Sequence, residues 1–257
     1  MNILGSVSKN VTDALRQGII PWKAFQFGFP TNVLTNKKYG GINPILLQIS
    51  ALQHKFNRSC FWGSVKQWRA VQCQVPYETQ STQILVVENG RPSTRKIFNT
   101  DQVFGLTIGE FISKLTPSEY SQVDLLIEKS GAKLTAGLTP MYRDGIIEMP
   151  PRSYFKNDAQ YWASIIHELC HDSELKIGFT GDEFQRELVA EIATGYLEGI
   201  LRLEHCSDRT NHDKYLADWL KAADENPQYI TQSASIASQI VYHLMNLLNP
   251  KEFSYAE

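Results

Sequence analysis

Apolar residues recur along this 257-residue chain in two different rhythms. In the first hundred residues the runs are short and broken by turn formers. Val7, Val11 and Leu15 share one face of a helix predicted over residues 6–18. A turn-rich stretch follows, with Pro21-Trp22, Phe25, Phe27, Gly28 and Phe29-Pro30-Thr31-Asn32. A glycine-containing loop over 37–43 leads into a helix over 44–56, with proline in its first turn. Phe61-Trp62 and the segments 83–87 and 96–99 read as strands, and 64–70 as a short helix. Between residues 108 and 120, Thr116-Pro117-Ser118 interrupts the pattern. The rhythm beyond it is helical, broken by one strand over 145–149 that Pro150-Pro151 stops. One helix starts at Asn157 or Asp158 and carries the apolar positions Ile165, Ile166 and Leu169. A second covers 185–197. The pattern predicts an α+β protein of two domains: a small mixed α/β domain over 1–112 and a mostly helical domain over 113–257.

The first of those helices contains His167-Glu168-Leu169-Cys170-His171. Histidines four apart on a helix stand one above the other, so both imidazoles can reach one metal ion. The Glu next to the first His can hold a water at that ion and take its proton. This is the HExxH arrangement of zinc metalloproteases. Zinc in such a site takes a third protein ligand and keeps one position open. The second helix offers Glu187 and Glu191, four apart on one face. One can bind the metal while the other accepts the second ring N–H of a ligand histidine. Glu-type zincins look like ligand first and acid four later, which favours Glu187 as ligand and Glu191 as its partner; the swapped assignment stays open. The metzincin pattern HxxGxxH is absent. Cys170 is expected in the core. His205, Cys206 and His212 form a loose polar cluster read as surface, and His54 and His243 stand alone.

Composition places these two parts in different surroundings. Residues 1–110 hold 12 Lys/Arg against 5 Asp/Glu, a net of +7; residues 111–257 hold 13 against 22, a net of −9. A basic front half is a candidate polyanion binder, with nucleic acid first among the choices. Its aromatic residues alternate with its cations: Trp22-Lys23, Lys37-Lys38-Tyr39, Phe61-Trp62, Lys66-Gln67-Trp68-Arg69. Such mixtures bind single-stranded nucleic acid, because bases stack on exposed rings while Lys and Arg follow the phosphates. Phe61 and Trp62 are expected in the core. Trp22, Lys23, Lys37, Lys38, Tyr39, Lys66 and Arg69 are the candidate DNA contacts. Hydrophobic content of 42% is ample for packed cores. There is no run of transmembrane length and no continuous N-terminal apolar segment of a secretion signal. Cys60, Cys73, Cys170 and Cys206 form no CxxC and read as thiols of a reducing cytosol. The expectation is a cytoplasmic protein with no membrane partner.

Pro21-Trp22, Pro30-x-Asn32 and Thr35-Asn36-Lys37-Lys38-Tyr39-Gly40-Gly41-Ile42-Asn43 resemble the front module of ArdC-type antirestriction proteins. So do Phe61-Trp62, Lys66-Gln67-Trp68 and the run Ile97-Phe98-Asn99-Thr100-Asp101-Gln102. Met149-Pro150-Pro151, Tyr161-Trp162, the HExxH segment and Glu187-Leu188-Val189-Ala190-Glu191 resemble that family's zincin-like domain, and the likeness runs to 215–220 and 230–248. The resemblance implies a single-stranded-DNA-binding domain followed by a metallopeptidase-like domain, in a mobile-element protein that protects DNA from restriction. It adds Asn32 and Asn43 to the candidate DNA contacts. Two positions depart from the family pattern. HExxH is usually followed there by Trp-Thr-Gly-His; here Asp172-Ser173-Glu174-Leu175 follows, in a loop expected beside the metal. Gly40 replaces the Arg of Tyr-Arg-Gly-Ile-Asn.

The expected activity is zinc-dependent peptide hydrolysis on an unknown protein substrate, with one zinc per chain held by His167, His171 and Glu187, and with Glu168 as the base. Tyr154 and Tyr161 are candidates to steady the oxyanion. Two other readings stand beside it: a non-catalytic DNA-binding protein with a structural or vestigial zinc site, and a peptidase that cleaves a transcriptional repressor.

Overall fold

A computed structural model describes residues 3–23, 25, 28–105, 107–111, 120–204, 206, 210–250 and 253–256, with only the backbone of 210–213. Phe27, His205, the side chain of His212 and the stretch around the expected boundary at residue 112 lie outside the described residues. Contacts divide the chain into two compact units: Met1–Thr116 with Ala223–Thr231 and Ser254–Glu257, and Pro117–Ala222 with Gln232–Phe253.

The first unit is mixed. Helix α1 (Ile3–Arg16) buries Val7, Val11 and Leu15 along one stripe, as their spacing predicts. Helix α2 (Asn43–His54) has its proline in the first turn and ends where Lys55 turns left-handed. Strands β1 (Thr31–Asn32), β2 (Phe61–Gly63), β4 (Thr82–Glu88) and β5 (Arg91–Asn99) form one sheet in the order β1-β2-β5-β4. Helix α3 (Val65–Ala70) follows β2; Ser64 and Gln67 close its first turn with a reciprocal capping box. Strands β3 (Cys73–Gln74) and β6 (Phe104–Gly105) make a separate antiparallel pair. Strand β5 starts well before the expected residue 96. Asn89 and Gly90 both take positive φ, so a two-residue turn pairs Glu88 directly with Arg91. Among the described residues two apolar clusters lie in this unit. One joins Tyr39, Leu47, Trp62, Ile84, Val86 and Ile97. The other joins Val33, Trp68, Cys73, Phe98 and Val103.

The second unit is mostly helical around a small sheet. Helix α4 (Ser121–Ser130) precedes strands β7 (Lys133–Ala136), β8 (Met141–Arg143) and β9 (Ile146–Met149), ordered β7-β9-β8. The sequence predicted β9 alone. Strand β7 pairs parallel to β9, and β8 pairs antiparallel to it across a turn in which Asp144 and Gly145 both have positive φ. Long helices α5 (Asp158–Lys176), α6 (Glu183–Leu201), α7 (Thr210–Glu225) and α8 (Tyr229–Leu248) follow. The two units thus give a mixed α/β region followed by a helical one, the predicted class. Among the described residues no helix is long and apolar enough to cross a membrane.

Candidate metal centre

Helix α5 is fixed at its start by Asn157, whose side chain accepts from the Gln160 N–H at 2.9 Å. Ile165, Ile166 and Leu169 are fully buried and seat the helix. Asp182 caps α6 in the same way, accepting from Gln185 N–H at 2.8 Å, and Leu188, Val189 and Ile192 bury its inner face. Helices α5 and α6 pack on each other. This packing brings His167 and His171 of α5 to Glu187 of α6.

The three side chains converge. His167 Nε2 and His171 Nε2 are 3.2 Å apart. Glu187 Oε2 lies 3.4 Å from His167 Nε2, and Glu187 Oε1 lies 3.4 Å from His171 Nε2. Among the described residues this is the group of His, Cys, Asp and Glu whose ligand atoms come close enough to hold a metal ion, all within 4.8 Å of one another. The donor set fits a cation: two imidazole nitrogens and a carboxylate from adjacent helices converge on one point, the kind of ligands that zinc takes. The opposite ring nitrogens face carboxylates too. His167 Nδ1 lies 3.6 Å from Glu191 Oε1, and His171 Nδ1 lies 3.2 Å from Glu174 Oε1. Glu191 therefore stands behind His167, while Glu187 faces both Nε2 atoms.

Charge follows this geometry. Burial alone would lower the His171 imidazole. Hydrogen bonds and charge from Glu174 and Glu187 outweigh burial and push it up to about 9. Burial would raise Glu187, but its bonds to His167 and His171 hold it far below the usual carboxylate range. The His171 imidazole thus favours its protonated form and faces a Glu187 carboxylate that favours the ionised one.

A cavity of about 440 Å³ opens beside it, lined by Leu138, Pro140, Tyr154, Phe155, His167, Glu168, Glu191 and Cys206, among others. Glu168 reaches this cavity although its side chain is largely buried. Tyr154 is among the lining residues and is 75% exposed. Tyr161 is absent from the lining and packs edge-on against Phe155 and Trp162. Cys170 is buried in the core, its Sγ 3.9 Å from Thr194 Oγ1. Cys206 is buried at the cavity wall, not on the surface as expected. No disulfide joins the four cysteines.

Residues 172–175 are not a loop. Helix α5 runs on through them to Lys176. Glu174, three positions after His171, comes round to the same helical face and meets that ring. Sequence reasoning treated it only as a departure from a family pattern, although the i, i+3 spacing was there to read.

In the first unit the candidate DNA contacts separate. Lys37, Lys66 and Arg69 are exposed, and Lys23 and Lys38 are half-buried. The Lys38 ammonium donates to Thr31 Oγ1 at 2.8 Å. Trp22 and Tyr39, by contrast, are 0% and 2% exposed. Trp22 sits in a 3₁₀ turn that packs against α2, and Tyr39 belongs to the core cluster of Trp62 and Ile84. Neither ring is open to a base. The two asparagines are committed to the fold as well. Asn43 both donates to and accepts from the Leu85 backbone at 2.8 Å, pinning β4 to α2. Asn32 Oδ1 accepts from the Leu34 and Thr35 amides, each at 3.1 Å.

An HExxH helix whose histidines meet a glutamate from the next helix, beside a small mixed sheet, defines a zincin-like domain. Residues 121–236 match the zincin-like metallopeptidase family, and residues 1–105 match the N-terminal domain of the anti-restriction factor ArdC. The chain thus joins an ArdC-type N-terminal domain to a zincin-like metallopeptidase domain. The fold agrees. The crystal structure of the antirestriction ArdC protein from the R388 plasmid in its Mn(II)-bound form superposes with a TM-score of 0.82 at 21% identity, covering 98% of this chain and 100% of that one. The metal-free form gives 0.78 at 22% identity, covering 99% and 100%. A DNA primase TraC of Escherichia coli is 25% identical over 91% of this chain, and a second TraC is 26% identical over 91%. The chain spans only 19% and 26% of the length of those primases. The uncharacterised protein y4eC of Sinorhizobium fredii is 25% identical over 82% of this chain and 79% of its own length.

Proposed function

We propose that this chain binds single-stranded DNA through its first unit and hydrolyses peptide bonds at the His167, His171 and Glu187 centre of its second, as an antirestriction protein of a mobile element. The observation that carries the enzymatic half is the position of Glu168: it follows His167 on α5 and lines the same cavity as that histidine. A purely structural site has no need of a carboxylate facing free space.

Two imidazoles and one carboxylate suit zinc, which would polarise a scissile carbonyl there. The R388 relative was solved with Mn(II), so manganese is the competing ion. The chain's own residues do the proton work. Glu168 takes a proton from water in the cavity onto a carboxylate oxygen and returns it to the departing amine. Glu191, 3.6 Å from His167 Nδ1, is placed to favour a hydrogen on that nitrogen, which leaves Nε2 for the ion. The apolar wall of Leu138, Pro140 and Phe155 receives substrate side chains and limits water.

For DNA, Lys37, Lys66 and Arg69 offer charge to phosphates, and Lys23 and Lys38 stand partly exposed nearby in sequence. Among the described residues of this unit, Tyr77 and Phe104 are exposed rings, which supports stacking there in place of Trp22 and Tyr39.

The test is Glu168→Gln assayed on a peptide library beside the wild type. We expect metal retained and hydrolysis abolished. Hydrolysis at the wild-type rate in the variant would end the role of Glu168. A metal-loaded wild type without hydrolysis would favour the non-catalytic DNA-binding reading.

A further inference from the structure

We propose that Glu174, held in place by Arg186, is a positioning residue of the metal centre, fixing the His171 ring so that its Nε2 presents a bare lone pair to the ion. The inference rests on the metal-centre reading above and adds to it two residues that reading does not use.

Glu174 is 1% exposed. A carboxylate that deeply buried is costly unless both oxygens are engaged. Here both are. Oε1 lies 3.2 Å from His171 Nδ1, and Oε2 accepts from Arg186 Nε at 2.7 Å. A carboxylate accepts and does not donate, so Nδ1 must carry the hydrogen and Nε2 must be the deprotonated nitrogen once the ion binds. Helix α6 then holds His171 from both ends: Glu187 meets Nε2, and its neighbour Arg186 grips the carboxylate behind Nδ1. His167 has the same arrangement in weaker form, with Glu191 at 3.6 Å. Each ligand histidine thus has its own acid, and the acid of His171 comes from the helical continuation of HExxH in this chain.

The competing explanation is that Glu174 and Arg186 only staple α5 to α6. Zinc affinity of the full chain, measured by competition with a chromophoric chelator, separates the two. The d–d absorption of the cobalt(II)-substituted protein reports ligand geometry independently. We expect Glu174→Ala to weaken zinc binding about 10–100-fold and to alter the cobalt spectrum, the usual effect of removing such a partner. Glu174→Gln keeps an acceptor oxygen for Nδ1–H and should recover most of the affinity. Zinc affinity and cobalt spectrum unchanged in Glu174→Ala, or a Gln variant no better than the Ala variant, would overturn the proposal. If Glu174→Ala does not fold, Arg186→Ala decides: it leaves the carboxylate present but unheld, so weakened zinc binding supports the role and unchanged binding overturns it. His171→Ala is the reference. Wild-type zinc affinity in that variant would sink the metal centre itself rather than the part assigned to Glu174.

Discussion

Tyr39 accepts a hydrogen bond from Asn32 Nδ2 at 3.0 Å and directs its hydroxyl at the Trp62 carbonyl 3.3 Å away. Burial pushes its phenol up to about 12, and the bond from Asn32 pulls the other way without cancelling it. The neutral form is the one the fold favours. Its contribution to stability is therefore complete below the ordinary value near 10 and is lost as pH rises from there through about 12. A difference titration of wild type against Tyr39→Phe, followed by absorbance of the phenolate, should show the missing group ionising near 12; ionisation near 10 would mean the ring is exposed. The same variant should lose about 1 kcal/mol of stability with single-strand affinity unchanged, as a core hydrogen bond and not a DNA contact is removed. The burial of Tyr39 and Trp22 was not legible in the sequence. Neighbouring lysines look alike whether the ring beside them faces water or packs inward, and only the pairing of β1, β2 and β5 around α2 decides it. Asn43 escaped for the same reason: its partner Leu85 is 42 residues away.

Helix α5 shows what periodicity does reveal. Its cap, its buried stripe and the placing of His167 and His171 on one face all follow from spacing. So does the approach of Glu187, because α6 repeats the same signals. Its end did not follow. Polar residues at 172–176 resemble a loop, yet each is engaged: Asp172 pairs with Lys176, Ser173 Oγ donates to the Leu169 carbonyl at 2.9 Å, and Glu174 meets Arg186. Strand β7 was invisible for the opposite reason. Lys133, Leu134, Thr135 and Ala136 are all exposed, so no apolar alternation marks them, and they are held by backbone pairing to β9. Removing the α5 cap with Asn157→Ala should cost about 0.5–2 kcal/mol in denaturant unfolding and leave metal content unchanged, since the fraying is confined to the first turn. Loss of metal in that variant would show that the centre depends on the helix start and not on its packed middle.

At the scale of the whole molecule, charge and chemistry are divided along the chain. The basic stretch of 1–110, at +7, precedes an acidic remainder at −9 that carries the proposed metal ligands. Single-strand binding by the full chain should weaken as salt rises, with a log–log slope of about −0.7 per phosphate neutralised. Combining Lys37→Ala, Lys66→Ala and Arg69→Ala should flatten that slope, whereas an unchanged slope would remove these cations from the interface. Tyr77→Ala with Phe104→Ala should instead lower affinity at constant slope, because stacking releases no counterions. The centre on which both the peptidase reading and the role of Glu174 depend is tested by metal analysis of the purified full chain. Wild type should carry one equivalent of zinc, and His167→Ala combined with His171→Ala should carry none; a full equivalent in the folded double variant would contradict the assignment of these residues as ligands.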